Sequence, residues 1–425
     1  MRIAFLVDQF PVLSETPYLN QITGMVKRGH EVDVFADYPP RHPEYHADID
    51  RLDLLARTRY TPTIPASATG RLAGALRLVR GHSGSARDVL RRAMNPLVVG
   101  LHAGSLRLPF HAVPFLPVRS YDIVHCCFGP DGIRGDRLRR IGAVRGRLVT
   151  AFRGADVTRY VKSRGERVYR GLLRRGDLFM PVSHDFARRV ERMGADPGRI
   201  VVHRTGIDVR LFAYRARAAR DGAPLHLVTV ARLVEKKGIE YVVRAVARLV
   251  TEGAEIRFTI VGDGALRESL ARLAGDLGVG DRVHFAGWRP QHEVRDIMDD
   301  ADVLVAASVT AASGDQEGIP NAVKEGMALG LPVLSTLHSG IPELVDDGVS
   351  GFLVPERDEG ALVARIRTLY DAPALRESMG RAGRARVVHE YDIERLNDAL
   401  ETQYRRLLDR PAGDSPSGER SADVG

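Results

Sequence analysis

The chain has 425 residues, room at roughly 150 per domain for two or three domains and a large buried core. Its composition, 44% hydrophobic and 27% charged, is that of a soluble globular protein and excludes disordered, collagenous and bilayer-spanning classes. Two adjacent cysteines, Cys126 and Cys127, exclude a disulfide framework and a four-cysteine zinc site and fit a reducing compartment.

The net charge of +8 is uneven: residues 1–215 hold 36 Lys and Arg against 20 Asp and Glu, the remainder 26 against 34, so the halves carry +16 and −8. A field of that sign points the first half toward an anionic partner, whether membrane lipid, a phosphorylated acceptor or nucleic acid, or simply reflects solvated arginines.

The N-terminus lacks the apolar core and cleavage site of a signal peptide and reads as a first strand over residues 3–7. Further strands are expected at 31–36, 122–128, 147–152, 178–182 and 200–203, with helical periodicity at 16–28 and 168–175. Two stretches interrupt this series. Residues 71–107 hold seven arginines, one aspartate and helically spaced Leu, Val and Ala; with their continuation to 118 they read as a basic amphipathic insertion. Such helices pack on the domain's own sheet, cover a groove or lie on an anionic membrane. Residues 109–118, apolar with three prolines, read as a loop or hydrophobic lip.

The second half repeats the alternation, with strands expected at 225–231, 255–261, 283–286, 302–306 and 332–335. Apolar strands separated by helices imply parallel sheets, here two series, each long enough for its own doubly wound sheet. Periodicity lapses and the charge changes sign at 214–224, so the predicted domains are 1–215 and 216–392. A last helix, 393–410, is expected to return to the first domain, and the tail 411–425 to be disordered.

The strongest local pattern is Glu317-Gly318-Ile319-Pro320-Asn321, running on to Glu325. If the helix starts at once, the two glutamates lie about two turns apart on one face. Glu317 then sits beside the free amides of Gly318 and Ile319, a site for an anion or hydroxyl, and Glu325 lies deeper, where a carboxylate suits a ribose diol. After the first strand of the second series, Arg232 and Lys237 can hold a diphosphate without a metal, whereas Lys236 reads as solvent-facing. Gly262 and Gly264 make a tight turn whose backbone comes close to a nucleotide. Trp288, the only tryptophan, is either a lip for the base or a core residue. Asp300-Ala301-Asp302 and Asp48-Ile49-Asp50 have the letters of a metal site but read as caps and turns, and no metal or other cofactor is expected.

Residues 231–238 (Ala-Arg-Leu-Val-Glu-Lys-Lys-Gly), 261–264 (Val-Gly-Asp-Gly), the pair Glu317 and Glu325, and 339–343 (Ser-Gly-Ile-Pro-Glu) resemble the retaining GT4 family of GT-B glycosyltransferases. Residues 10–16, 127–132, 174–178 and 335–340 are similar to the colanic-acid-type exopolysaccharide members, and the likeness runs from about 1 to about 405. It implies an α/β GT-B fold, two Rossmann-like doubly wound domains facing across a cleft, with the acceptor mostly on the first and the nucleotide sugar mostly on the second. Carried over, Arg232 and Lys237 stabilise the leaving diphosphate, Glu317 and the amides after it hold the donor sugar, and Glu325 binds the ribose. The expected reaction is retaining and metal-independent, in the cytoplasm, onto a saccharide or lipid-linked saccharide, with peripheral contact at the inner membrane face left open.

Two departures from the family pattern matter. The loop after the first strand lacks the glycine-rich form, and Ser14 and Glu15 are read there as acceptor contacts. Arg153, near Asp156 on the acceptor or sugar side, stands where related enzymes often have His. A guanidinium forks onto a carboxylate, so this points to a sugar that bears an acid or lacks the usual hydroxymethyl contact, against an ordinary structural arginine. Transfer to a soluble natural product and a GT-B-fold sugar-nucleotide 2-epimerase are the alternatives; without a stacking platform or motif, nucleic acid is not expected as a partner.

Overall fold

The computed structural model describes residues 1–12, 16–40, 45–216 and 222–410; Ser14, Glu15 and the tail 411–425 lie outside them. Two parallel sheets of six strands carry the chain. The first holds β1 (Arg2–Gln9), β2 (Glu31–Tyr38), β3 (Thr58–Tyr60), β4 (Arg119–Cys126), β5 (Val144–Phe152) and β6 (Leu178–Pro181), in the order β3-β2-β1-β4-β5-β6. The second holds β7 (Leu225–Val230), β8 (Ile256–Val261), β9 (Val283–Gly287), β10 (Val303–Ala306), β11 (Val333–Thr336) and β12 (Gly351–Val354), in the order β12-β11-β10-β7-β8-β9. Counted from its own first strand, each sheet has the same doubly wound order. The winding reverses between β1 and β4 and again between β7 and β10, and at those points the loops leaving the carboxyl ends part to form a crevice.

Strands covered on both faces are mostly apolar, and β7 (Leu-His-Leu-Val-Thr-Val), buried along nearly its whole length, pairs its two polar side chains, His226 with Thr259 and Thr229 with the Val305 carbonyl. The helix after it, Ile239–Thr251, buries Ile239, Val242, Val243, Val246 and Leu249, one stripe at helical spacing. Residues 200–203, expected as a strand, form instead an extended segment joined to β6 by a single bridge, Phe179 to Ile200, before the chain leaves for the second domain. The edge strands β3 and β12 were not anticipated: three residues containing an arginine, and four opening on a glycine, make no readable apolar run.

The basic insertion folds as helices Ala68–Gly81, Gly84–Met94 and Pro96–Val99. They bury Ala75, Val89, Leu90, Ala93 and Val99, so the insertion packs on its own domain while Arg77, Arg80 and Arg91 stay exposed. Residues 109–118 are no lip: Phe110 and Phe115 are 5% and 3% exposed, and Phe115 stacks on Phe35 of β2 at 4.0 Å. Among the described residues no helix is long and apolar enough to cross a membrane.

The C-terminal helix Ile393–Asp409 returns to the first domain, adding Leu400, Tyr404 and Leu407 to the core around Ile3, Phe5 and Ile22. The chain thus crosses between domains twice, and the crossings are tied together: Ile207 N–H donates to the Tyr391 carbonyl and Ile393 N–H to the Ile207 carbonyl, each at 3.0 Å.

Candidate active site between the domains

The loops after β7 and β10 flank the switch point of the second sheet. Residues Glu235–Lys237 make one 3-10 turn closed by Gly238 at φ +59°, where an added Cβ would lie 1.9 Å from the Ala307 carbonyl oxygen. Only glycine allows that approach. Val309 N–H donates to the Lys236 carbonyl at 2.9 Å and Ala312 N–H to Glu235 Oε1 at 2.8 Å, so the two loops are sewn together.

This fastening turns both lysines inward. Lys236 Nζ lies 3.0 Å from Glu317 Oε1 and 3.2 Å from Asp315 Oδ2, and Lys237 Nζ lies 3.1 Å from Glu317 Oε2. Lys236, expected in solvent, is therefore only 9% exposed. Burial alone would push the Glu317 carboxyl up, but Lys237 and Lys236 outweigh it and hold it at about 2. Arg232 is exposed at the start of the same loop and has no carboxylate partner among the described residues.

A second layer positions Glu317. Its backbone N–H donates to His338 Nε2 at 3.1 Å, so the imidazole proton sits on Nδ1 and is donated to Glu356 Oε1 at 2.6 Å. Glu356 in turn accepts from Thr310 N–H at 2.7 Å. Nearby, Asp315 Oδ1, Gln316 Oε1 and Arg153 Nη1 are buried polar atoms without a hydrogen-bond partner among the described residues, the kind of unmet valence a polar ligand fills.

The helix after the loop starts at Asn321, not at Glu317. Pro320 disfavours helical backbone at Ile319, so Glu317 stands on a loop and the expected two-turn spacing does not apply. Ile319 and Pro320 are buried. Glu325 is half-buried in a small cleft shared with Asn20, Thr23 and Lys27 of the first domain, and burial, against the opposing pull of Lys324, pushes its carboxyl up to about 7. Lys324 is fully buried and donates to Thr205 O at 2.7 Å and Oγ1 at 2.9 Å; burial pulls its ammonium down to about 7.

Gly262 and Gly264 do make the tight turn expected of them, and their close approach within the protein is to the neighbouring loop. Added Cβ atoms would lie 1.9 Å from the Ala231 oxygen and 2.6 Å from the Leu233 oxygen, so they let the turn after β8 press on the loop that carries Arg232. Trp288, after β9, is 55% exposed and is not a core residue. Asp302 accepts from His226 N–H at 2.9 Å and Asp300 from Arg257 at 2.8 Å; both lie at the amino end of β10, away from the crevice.

The first domain meets this site directly. A Cβ on Gly318 would come within 2.8 Å of the Arg153 carbonyl, and Glu343 accepts from the first two amides of helix His184–Arg192, at 2.9 and 3.1 Å. Asp156 is buried and accepts from Gly154, Arg153 and Gly129 N–H groups at 2.8, 3.0 and 3.1 Å, which orders the loop after β5. Arg153 turns toward its own domain, donating from Nε to Cys127 O at 2.9 Å and from Nη2 to Gln21 Oε1 at 2.6 Å. Among the described residues Nη1 alone is without a partner, so the expected two-pronged grip on a sugar carboxylate is not preformed.

Residues 15–211 match the family described as Glycosyltransferase Family 4, and residues 212–386 that described as Glycosyl transferases group 1. The sequence is 37% identical over 403 residues to the colanic acid biosynthesis glycosyltransferase WcaL of Salmonella typhimurium, covering 94% of this chain and 98% of that one. The chain belongs to the family 4 glycosyltransferases. It is also 35% identical over 402 residues to the amylovoran biosynthesis glycosyltransferase AmsK of Erwinia amylovora, covering 92% of this chain and 96% of that protein. Its GT-B fold is matched by Anabaena Alr3699/HepE in complex with UDP (TM-score 0.69, 17% identity, 96% of this chain and 100% of the other). Sucrose-phosphate synthase from Thermosynechococcus elongatus is similar too (TM-score 0.70, 21% identity, 96% and 99%). In this glycosyltransferase Lys236, Asp315, His338 and Glu356 join the anticipated Glu317 and Lys237, with Arg232 on the same loop.

Proposed function

We propose that this glycosyltransferase moves a hexose from a nucleoside-diphosphate donor on the second domain to a hydroxyl of a saccharide acceptor on the first, with retention and without a divalent cation, during exopolysaccharide assembly. The cluster of Lys236, Lys237 and Glu317 at the switch point carries this reading. When the bond between the sugar and the diphosphate breaks, negative charge grows on the phosphates, and Lys237, held by Glu317, and the exposed Arg232 are the cations placed to meet it beside the crevice. Glu317, ionised and neutralised by two lysines, is a weak base and a weak nucleophile. That favours attack by the acceptor hydroxyl on the face the diphosphate leaves, with the hydroxyl proton passing to the departing phosphate. Glu325 is the ribose ligand, and the unpartnered Asp315 and Gln316 oxygens suit donor-sugar hydroxyls.

The relatives named for colanic acid and amylovoran biosynthesis support a polysaccharide acceptor, and the neighbour solved with UDP makes uridine the first base to try. A lipid-linked acceptor would bring the exposed arginines of the inserted helices to the inner membrane face. The test is thermal unfolding with UDP, GDP, ADP, dTDP and CDP, with and without EDTA. One nucleotide raising Tm equally in both conditions is the expected result; stabilisation by none, or only with a divalent ion, overturns the reading of the donor site. The anomeric configuration of the product, read by NMR, tests retention.

A further inference from the structure

A cavity of about 1270 Å3 opens at the carboxyl end of the first sheet, beside the switch point between β1 and β4. Arg107, Arg137, Arg159, Arg164 and Arg167 line it, and among the described residues none of the five has a carboxylate partner. Four are exposed, but Arg137 is half-buried on helix Gly129–Ile141, where burial lowers its pKa. Asp136 attracts it but is itself bound by Arg175 at 2.8 Å, so Arg137 forms no ion pair of its own among the described residues, and a desolvated guanidinium in that state is costly unless something anionic completes it.

The carboxylates of the same cavity are already engaged. Asp37 is bound by Arg134, by His111 at 3.0 Å and by Thr61 at 2.8 Å. Asp131 shares Arg134 at 3.2 Å; its Oδ2 is unpartnered, and burial pushes the carboxyl up to about 7, which trims its charge. Asp156 is spent on three backbone amides, and Asp8 stands at the end of β1 with partners of its own. The cavity therefore presents excess positive charge, the local form of the +16 carried by the first half.

The cavity also adjoins the donor loop. Helix Arg159–Arg164, which bears two of the arginines, sends Lys162 Nζ to the Ala312 carbonyl at 2.8 Å, and Asp156 at the cavity wall fixes the Arg153 backbone that abuts Gly318. Tyr160 and Phe128 add ring surface on which a sugar can lie.

We propose that this cavity seats the acceptor and selects one with a fixed negative charge close to the accepting sugar, either the diphosphate of a carrier lipid or a sugar carboxylate. This rests on the reading that the first domain takes the acceptor. An anion there replaces the missing partners of Arg137 and the rim arginines with charge-assisted hydrogen bonds, whereas a neutral saccharide leaves them unmet.

The test is calorimetric titration of the full chain with farnesyl diphosphate, methyl β-D-glucuronide and neutral methyl β-D-glucoside, alongside titration with the stabilising nucleotide. The expected result is that at least one anionic probe binds about tenfold or more tighter than the glucoside, and that Arg137→Gln, and separately the Arg159→Gln/Arg167→Gln double variant, each remove most of that advantage. Binding of farnesyl diphosphate alone assigns the charge to the carrier; binding of the glucuronide alone assigns it to a sugar acid. Nucleotide affinity should stay unchanged in both variants. Equal binding of charged and neutral probes, or the same loss in Arg91→Gln on the outer face of the insertion, overturns the proposal while nucleotide binding leaves the donor reading standing. If the nucleotide also fails to bind, both fall.

Discussion

The two sheets share one strand order, yet their carboxyl ends are equipped in opposite ways. At the second, Lys236 and Lys237 are closed onto Glu317 and Asp315, and His338 and Glu356 brace the loop from below. At the first, five arginines without an ion pair among the described residues stand around an open cavity whose carboxylates, apart from one oxygen of Asp131, are engaged by the protein. Topology decides where a ligand goes, because both crevices fall at the reversal of winding. The loops decide what happens there: a cluster with its own counterions is organised before the ligand arrives, while an unpaired set takes its counterion from the ligand.

The largest effect expected on this contrast comes from Glu317→Gln. It strips both lysines of their shared partner and removes the group proposed to hold the donor sugar, so transfer should fall by about 10²–10³-fold in steady-state assays, with a loss of about 3 kcal/mol in urea unfolding from uncompensated buried charge. A variant that keeps near-normal kcat would show that the cluster is structural. Next is Gly238→Ala, which asks whether the sewn loops matter to the fold: a Cβ 1.9 Å from the Ala307 oxygen at φ +59° has nowhere to go, and a loss of about 2–4 kcal/mol is expected. A loss below about 0.5 kcal/mol would mean the loops separate easily.

His338→Ala is milder, because His338 acts only through the Glu317 backbone. kcat should drop about tenfold with little change in KM, and His338→Gln, whose amide can still accept from Glu317 N–H, should recover part of it. An effect confined to KM would instead place His338 against the substrate.

The strands were readable because chains buried on both faces are mostly apolar, so β1, β7 and β8 stand out as apolar runs with few polar interruptions. β3 did not, since an edge strand of three residues with Arg59 in the middle buries nothing fully. The site was legible in its residue types and less so in its geometry. Adjacent Lys236 and Lys237 look alike in sequence, and what buries the first is the contact with Ala307 and Val309, far along the chain. Pro320 was the overlooked signal for the helix start, and a histidine just past an apolar strand, His338, was the one for the supporting layer. Lys324 gave no signal, since nothing local separates a buried lysine from an exposed one.

Lys324 and Glu325 offer the smallest and most specific test, because they set helix Asn321–Leu329 against the segment linking the domains. Burial lowers the folded Lys324 pKa to about 7 from its usual 10.5, so between those values the unfolded chain holds a proton that the folded chain lacks, and stability rises with pH. That contribution is complete above about 10.5 and is lost as the pH falls through about 7. Glu325 has the opposite sign: its folded pKa is raised to about 7 from 4.5, so its contribution is complete below about 4.5 and is lost as the pH rises through about 7. Stability should therefore pass through a shallow minimum near neutrality, each limb no steeper than about 1.4 kcal/mol per pH unit, the limit for one proton. In urea unfolding across that range, Lys324→Met should flatten only the alkaline limb and Glu325→Gln only the acid one. Variants whose profiles run parallel to the wild type would show that neither group changes its protonation on folding, and that the grip of Lys324 on Thr205 is that of an ordinary charged lysine.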